Sequence, residues 1–105
     1  MSDLAGKKLG VLLTTPPDHS NFLPAVALMT SALDAGIRVY LYCIDEGVRA
    51  VSSPQIQELK KRGMSLFGCA YGAGHRNIAL DESAAWSGLT IVADVIGSTD
   101  RFVSF

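Results

Sequence analysis

The sequence predicts an α/β fold with three layers, in which a mostly parallel sheet of four or five strands lies between helices on both faces. Short apolar segments of strand length alternate with longer segments of helical periodicity, and this alternation is typical of βαβ units. Segment 37–44 is rich in β-branched and aromatic residues, with little apolar–polar alternation, as in a parallel strand covered on both faces. The 105 residues correspond to a single domain, 1–105.

The first third of the chain predicts a strand, a helix and a second strand. Residues 8–14 form a short apolar strand, which the turn 14–18 with its two prolines stops. Ser20 or Asn21 is expected to cap the following helix, and Gly36 to end it. The second strand is the segment 37–44. The apolar stripe of the helix consists of Phe22, Val26, Met29 and Leu33.

The middle third predicts two helices and a third strand. Residues 45–51 form a short helix, and Ser53 with Pro54 begins a longer one that carries Ile56 and Leu59 inward. Gly63 ends that helix, and the third strand covers 64–68. Three cations occupy the last helical turn, where they complement the helix dipole, so we interpret them as a solvated turn rather than a binding patch. They are Lys60, Lys61 and Arg62.

The last third predicts a loose helix over 69–77, weakened by two glycines, then one more helix closed by Gly97. A final strand covers 101–105. A short fifth strand near 78–80 is possible. The apolar residues that mark the last helix are Leu89, Val92, Val95 and Ile96.

Composition favours an oligomer and argues against nucleic acid as a partner. Hydrophobic residues make up 49% of the chain and charged residues only 18%, and a small domain this apolar is expected to hide surface by self-association. The formal net charge is −1, so no basic surplus is present to neutralise phosphates.

The sequence predicts a soluble, cytoplasmic protein. Its longest uncharged stretch near the middle, 19–33, contains several polar residues and is shorter than the roughly 20 apolar residues a membrane span needs. The first four residues show no basic region followed by an apolar one, so no secretory signal is expected. In that setting the two cysteines are expected to be reduced thiols.

Chemistry is expected at the carboxyl ends of the strands, where open α/β sheets place ligands and reactive groups. Three segments follow strands there: 14–19, 43–46 and 69–76. Cys69 begins a helical segment, whose free N–H groups and positive dipole end favour the thiolate. His75 and Arg76, about two turns on, would add positive charge. The alternative is that Cys69 is simply a small buried apolar residue.

The second thiol, Cys43, ends the second strand between bulky neighbours and is interpreted as a core residue. It would resolve an oxidised Cys69 if the two strands are adjacent. No metal site is predicted, because the cysteines and histidines are scattered singly. Segment 72–77, with Gly72 and Gly74, imitates a dinucleotide fingerprint but lies late in the chain, so nucleotide binding is a weaker hypothesis and no cofactor is predicted.

Three segments together resemble the DsrE/DsrF family of small sulfur-relay proteins, most closely its DsrE/TusD branch. They are Tyr-Leu-Tyr-Cys-Ile-Asp-Glu-Gly-Val at 40–48, Leu-Phe-Gly-Cys-Ala-Tyr-Gly-Ala-Gly-His-Arg at 66–76, and Ser-Gly-Leu at 87–89 leading to Asp-Arg-Phe-Val-Ser-Phe at 100–105. The resemblance implies a parallel sheet between helices and assembly into oligomers. It also implies that a cysteine at the position of Cys69 accepts a sulfane sulfur as a persulfide and passes it to another protein's cysteine.

Two hypotheses of different class follow. In the first, the protein is a sulfur carrier of the sulfurtransferase type: Cys69 takes sulfur from a donor protein and delivers it to an acceptor, while His75 and Arg76 stabilise the thiolate or persulfide. In the second, it is a non-catalytic binding or regulatory subunit with an inert cysteine, in a homo-oligomer or a hetero-oligomer with related subunits. Trp86 is a candidate interface residue under either hypothesis, although an aromatic beside a core helix is more often packing.

Overall fold

The computed structural model describes residues 4–105 and confirms the predicted α/β fold. All five strands of the sheet are parallel, in the order β4-β3-β2-β1-β5. The strands are β1 Lys8–Leu13, β2 Arg38–Cys43, β3 Ser65–Cys69, β4 Ala85–Ser87 and β5 Arg101–Ser104. The helices are α1 Phe22–Asp34, α2 Pro54–Lys61, α3 Ala70–His75 and α4 Thr90–Ser98, with a 3₁₀ helix at Asp45–Ala50 between β2 and α2.

The two faces of the sheet carry different hydrophobic clusters, since successive side chains of a strand point to opposite faces. Alternate residues of β1 and β2 pack under α1 and α2 in the larger cluster, which contains Val11, Leu13, Val39, Leu41, Ile56 and Leu59. The intervening residues of the strands point to the opposite face, towards α3, α4 and the 3₁₀ helix. There they form a smaller cluster around Tyr42, Val48 and Cys69. The sheet therefore lies between two helical layers.

Helix α1 begins and packs somewhat differently from the prediction. Asn21 occupies the capping position, but its side chain makes no capping hydrogen bond; its own N–H donates to Nδ1 of His19 at 3.0 Å. Gly36 follows the helix in the left-handed region, with φ of 81°, as expected of a terminating glycine. The buried stripe is Phe22, Ala25, Met29 and Ala32. The predicted Val26 and Leu33 are only half-buried, because the smaller alanines turn inward and let α1 lie close to the sheet.

Helix α2 is formed by local signals and matches its prediction. The Ser53 side chain caps it by accepting a hydrogen bond from the N–H of Ile56 at 3.4 Å. Gly63, with φ of 106°, ends it, and the three predicted cations lie in its last turn and C-cap. Arg62 forms an ion pair with Asp34 at 2.6 Å, which ties the two helices of this layer together.

The predicted strand near 78–80 is wrong; the fifth strand is β4, seven residues further on. Ile78 instead completes the end of α3, where its N–H donates to the carbonyl of Ala73 while that of Asn77 donates to Gly74. Asn77 has φ of 57°, so this is a Schellman ending, and Ile78 packs as its apolar residue into the smaller cluster. An apolar triplet therefore terminates a helix here instead of pairing in the sheet.

Helix α4 differs from the prediction at its C-terminal end and in the residues that it buries. It runs through Gly97 and ends at Ser98, with Thr99 in extended geometry after it. Val95 is buried against the sheet, whereas Leu89 and Ile96 are exposed. The helix crosses the sheet from β4 to β5 and contacts it along a narrow stripe, so two of the four predicted apolar positions face outward. Among residues 4–105, the helices are too short or too polar to cross a membrane.

Candidate functional site

The carboxyl ends of three strands lie level at one edge of the sheet. Leu13 pairs in register with Cys43, and Cys43 pairs with Gly68, so β1, β2 and β3 end side by side. The three predicted chemical segments, 14–19, 43–46 and 69–76, therefore meet at this edge, as the sequence indicated.

Cys69 is the last residue of β3 and the N-cap of α3. Its Sγ accepts a hydrogen bond from the N–H of Gly72 at 3.4 Å. The side chain is only 4% exposed. A sulfur held in this way is stabilised as an acceptor, because one of the free N–H groups of the first helical turn points at it.

Side chains from several elements enclose Cys69. Val48 of the 3₁₀ helix and Tyr42 of β2 share its cluster, with Phe67 and Ile78 packed around them. The 3₁₀ helix begins at Asp45, whose φ of 52° is unusual for a residue other than glycine. This backbone reversal directs the segment after β2 back over the sheet edge, and so places Val48 against the cysteine.

The hydroxyl of Tyr42 lies beside Cys69 and is held by main-chain oxygens. Its single O–H is shared between two acceptors, the carbonyl of Ser87 at 3.2 Å and that of Gly88 at 3.1 Å. Burial raises the pKa of Tyr42, and the nearby Cys69 adds to the effect. Tyr42 therefore stays protonated at neutral pH and joins β2 to the β4–α4 turn.

Ser87 faces Cys69 across the β3–β4 pairing, since the two residues are partners in register and point to the same face. Its Oγ is buried and has no hydrogen-bond partner within the described part of the chain. A buried hydroxyl without a partner is uncommon, because leaving it unpaired costs free energy. This one belongs to the residue that pairs with Cys69 in the sheet.

Arg76 does not point freely at the cysteine but is bound at two places. Its Nε forms an ion pair with Glu46 at 2.6 Å, and its Nη1 donates to the carbonyl of Gly72 at 3.1 Å. Glu46 also pairs with Arg49 at 2.7 Å, and Arg76 and Arg49 together lower the pKa of the Glu46 carboxyl. Arg76 thus fastens α3 to the 3₁₀ helix and brings its charge next to the Cys69 loop.

His75 lies on the outer surface of α3. Its ring stacks on that of Tyr71, with ring centroids 5.2 Å apart and planes 26° apart. Tyr71 itself is 77% exposed. The predicted site residues therefore lie at different depths: Cys69 is buried, Arg76 is half-buried and His75 is exposed.

Cys43 belongs to the opposite face of the sheet. Cys43 pairs with Gly68, the residue before Cys69, so the side chains of Cys43 and Cys69 point to opposite faces of the sheet. The Cys43 side chain lies in the cluster under α1 and α2. It is fully buried, and burial raises the pKa of its thiol to about 12. The strands are adjacent, but the sheet separates the two thiols, so Cys43 is not placed to resolve an oxidised Cys69.

Three further features of the sequence are the glycines of segment 72–77, the scattered cysteines and histidines, and Trp86. A dinucleotide fingerprint requires its glycines to form a turn before a helix. Gly72 and Gly74 lie within α3 instead. Within residues 4–105, no group of three His, Cys, Asp or Glu side chains is arranged to hold a metal ion. Trp86 packs across Gly68 on the α1 and α2 face, and its Nε1 donates to the carbonyl of Asp81 at 2.9 Å.

A separate apolar groove of about 470 Å³ lies at the opposite end of the sheet, where β1 and β5 begin. Leu9, Leu28 and Ile37 line it together with Lys7 and Arg101. It lies far from Cys69 along the strands and takes no part in the cysteine site.

Sequence reasoning missed three neighbours of Cys69, which are Tyr42, Val48 and Ser87, and it missed Glu46, the ion-pair partner of Arg76. The position of Tyr42 could have been found from strand alternation. Tyr42 pairs with Phe67, and Phe67 lies two residues before Cys69 on β3, so all three side chains point to the same face of the sheet. For Glu46, the sequence predicted only a place in the short helix 45–51. The other contacts depend on how separate elements pack, and no local pattern reports that.

Comparison with solved structures finds the same fold in two bacterial proteins. The YchN protein from E. coli superimposes with a TM-score of 0.77 and 15% sequence identity, over 95% of this chain and 99% of YchN. BT1422, a conserved protein of unknown function from Bacteroides thetaiotaomicron, gives a TM-score of 0.77 and 15% identity over 100% of both chains. YchN has a DsrE/DsrF-like fold, so the present chain has a DsrE-like fold. At the level of sequence, neither family profiles nor curated proteins give a match.

Proposed function

We propose that this protein is a cytoplasmic sulfur carrier, which holds a sulfane sulfur as a persulfide on Cys69 and passes it to a cysteine of a partner protein. The observation that carries the proposal is the position of the Cys69 sulfur at the carboxyl edge of the sheet, where it accepts the N–H of Gly72. The DsrE-like fold and the motif resemblance to the DsrE/TusD branch support it.

Loading is an exchange between sulfur atoms and needs no external oxidant. The Cys69 thiolate attacks the outer sulfur of a donor persulfide, R–S–SH; the new S–S bond forms as the donor S–S bond breaks, and R–S⁻ leaves and takes up a proton. Delivery repeats the exchange: the acceptor thiolate attacks the outer sulfur and Cys69 leaves as a thiolate.

The neighbouring groups act on the negative sulfur. The N–H of Gly72 donates to Sγ both before loading and when Cys69 leaves, so the same contact stabilises the attacking and the departing thiolate. Arg76, anchored by Glu46, supplies positive charge without a change of conformation. His75 and Tyr71 form the exposed surface of α3 around the cysteine, where donor and acceptor proteins dock.

The proposal is tested by the intact mass of wild type, Cys69→Ser and Cys43→Ser after incubation with a persulfide donor. Wild type and Cys43→Ser are expected to gain the mass of one sulfur atom, and Cys69→Ser is expected to gain none. Cys43→Ser is the matched control, because Cys43 lies on the other face of the sheet and is buried among apolar side chains.

Sulfur loading that persists in Cys69→Ser, or that disappears only in Cys43→Ser, would contradict the assignment. Removal of the added mass by a thiol reductant would identify it as sulfane sulfur, because a thioether or sulfinic acid resists such treatment.

The second candidate function is an oligomeric binding or regulatory subunit in which Cys69 is inert. The observation that favours it is apolar exposure on the face of the sheet with α3 and α4: Tyr71 is 77%, Leu89 60% and Ile96 48% exposed. Exposed large apolar side chains are typical of a surface that another subunit covers.

Self-association through this face is expected under both functions. Light scattering of wild type should give the mass of an oligomer, and Ile96→Lys should shift it towards the monomer, because a charge would be buried in the contact. Leu23→Lys on α1, also an exposed apolar residue but on the other face, serves as the control. A monomeric wild type would contradict the expectation.

A further inference from the structure

The apolar groove at the amino ends of β1 and β5 has the size and the lining of a small-molecule site. Its volume of about 470 Å³ falls within the roughly 300–1,000 Å³ of ligand pockets, which are mostly apolar and carry a few polar groups. We call it the β1–β5 groove. Its apolar lining comes from the starts of β1 and β2 and from one flank of α1, and it includes Leu9, Ile37, Leu28, Ala32 and Ala35.

The flank of α1 that lines the β1–β5 groove consists mostly of small side chains. Its residues are three, four and seven positions apart, so they follow one stripe along the helix and its C-cap. Short side chains on this stripe leave the space between α1 and the start of β5 open. The residues of the stripe are Leu28, Ser31, Ala32 and Ala35.

Two cations line the β1–β5 groove without a carboxylate partner in the described part of the chain. Lys7 and Arg101 are both exposed, and the ion pairs within residues 4–105 use other cations. Nη1 of Arg101 donates to the carbonyl of Asp100 at 2.9 Å, which engages one of the five N–H donors of the guanidinium. The other donors are available to an anion in the groove.

The carboxylate of Asp100, which also lines the groove, is bound by the main chain of β1. Its Oδ2 accepts the N–H of Lys8 at 2.8 Å, while the N–H of Asp100 donates to the Lys8 carbonyl at 2.8 Å. Arg101 pairs with Leu9 in register, so both side chains point to the face of the sheet that α1 covers. The groove therefore combines an apolar lining with unpaired positive charge, in a chain whose formal net charge is −1.

We propose that the β1–β5 groove binds an aliphatic monocarboxylate. The alkyl chain lies against Leu9, Leu28 and Ile37, and the carboxylate pairs with Arg101 and Lys7, since a guanidinium group matches a carboxylate in a two-point contact. At the packing density of an organic liquid, the volume holds a chain on the order of ten carbons. This site is separate from the proposed sulfur-carrier function and does not depend on it.

The first test is calorimetric titration of wild type with hexanoate, octanoate and decanoate. Kd is expected to fall about two- to fourfold for each added methylene, the gain from burying a CH₂ group in part or in full. Decyltrimethylammonium has the same chain length as decanoate but a cationic head, and it is expected to bind at least roughly tenfold more weakly, because like charges oppose each other. Equal affinity for both head groups, or a Kd independent of chain length, would overturn the proposal.

The position of the carboxylate is tested with Arg101→Gln and the matched control Arg38→Gln. Both arginines are exposed and each begins a strand, but Arg38 pairs with Lys8, so its side chain points to the other face of the sheet. Arg101→Gln is expected to weaken decanoate binding about two- to fivefold, the range for an exposed ion pair, and Arg38→Gln is expected to leave it unchanged. Equal losses would contradict the pairing with Arg101.

The position of the alkyl chain is tested by filling the groove. Ser31→Phe places an aromatic ring on the lining, whereas Ala27→Phe, one turn earlier on α1 and also exposed, places it outside. Ser31→Phe is expected to weaken decanoate binding at least roughly tenfold, because the buried methylenes lose their place, and Ala27→Phe to bind like wild type. If Ser31→Phe binds as tightly as wild type, the ligand lies elsewhere and the proposal is wrong.

A wild type that binds none of the three carboxylates would also overturn the proposal. Light scattering of Leu28→Lys then shows whether a second copy of the chain covers the groove, because a charge there would lower the mass of such an oligomer. The sulfur-carrier function is decided separately, by sulfur loading of Cys69, so failure of one proposal is distinguishable from failure of the other.

Discussion

Gly47→Ala is expected to lower the free energy of unfolding by roughly 3–5 kcal/mol, because the added methyl group collides with main-chain atoms that have no room to move. A Cβ on Gly47 would overlap the carbonyl oxygen of Leu13 and lie 2.7 Å from its carbonyl carbon. The same oxygen accepts the N–H of Ile44 at 3.0 Å, so a shift that relieves the collision also disturbs that hydrogen bond. The 3₁₀ helix would have to leave the end of β1.

The measurement is equilibrium denaturation of Gly47→Ala beside Gly88→Ala, whose new Cβ would meet nothing within 4 Å. The control should change the free energy of unfolding by less than about 1 kcal/mol, as for substitutions away from packed features. A loss below about 1 kcal/mol in Gly47→Ala would show that the 3₁₀ helix packs more loosely than described. Where the variant folds, Cys69 should become more accessible to alkylation, because the 3₁₀ helix carries Val48.

The second large effect is alkaline destabilisation through Cys43. Its pKa is about 12 in the folded protein, because the thiol is fully buried, against 9.0 for an unperturbed thiol. Between these values the unfolded chain loses the proton and the folded one keeps it, so stability that is complete below about pH 9 falls as the pH rises. The slope is about 1.4 kcal/mol per pH unit, which amounts to roughly 4 kcal/mol by pH 12.

Denaturation of wild type, Cys43→Ala and Val39→Ala between pH 8 and 11 checks this prediction. Val39 lies on the same strand and face as Cys43, so its truncation also removes core packing but keeps the thiol. The wild-type slope should be retained in Val39→Ala and should be smaller in Cys43→Ala by about 1.4 kcal/mol per pH unit above pH 9. Equal slopes in all three proteins would mean that Cys43 ionises without unfolding.

The elements that sequence reasoning predicted well are those with local signals. Ser53, Pro54 and Gly63 delimit α2 by capping, a fixed φ and left-handed geometry, and each acts within a turn of itself. The continuous apolar character of β2 identified a strand covered on both faces, and Tyr42 and Cys43 are both fully buried, on opposite faces.

The strand that was misplaced has a non-local cause. The strand β4 is three residues long and is held by pairing with β3 and by Trp86, whose ring covers Gly68. Both contacts are made with β3, which is distant from β4 in sequence, whereas the apolar segment 78–80 appeared stronger by local preference. Context of this kind overrides intrinsic strand preference, which depends largely on cross-strand packing.

In the candidate site, too, some features follow from local sequence and others depend on contacts between distant segments. The sequence by itself determined that Cys69 lies where a strand ends and a helix begins, with Arg76 and His75 at the far end of that helical segment. It also determined that the strand ends meet at one edge. Both conclusions follow from the order of elements along the chain and from parallel pairing. Only the tertiary structure decided what touches the sulfur. The ion pair of Arg76 with Glu46, 30 residues away, and the register that separates the two thiols arise from packing between elements distant in the chain. Local preference acts over a few residues, whereas the contacts around Cys69 join segments that only the folded sheet brings together.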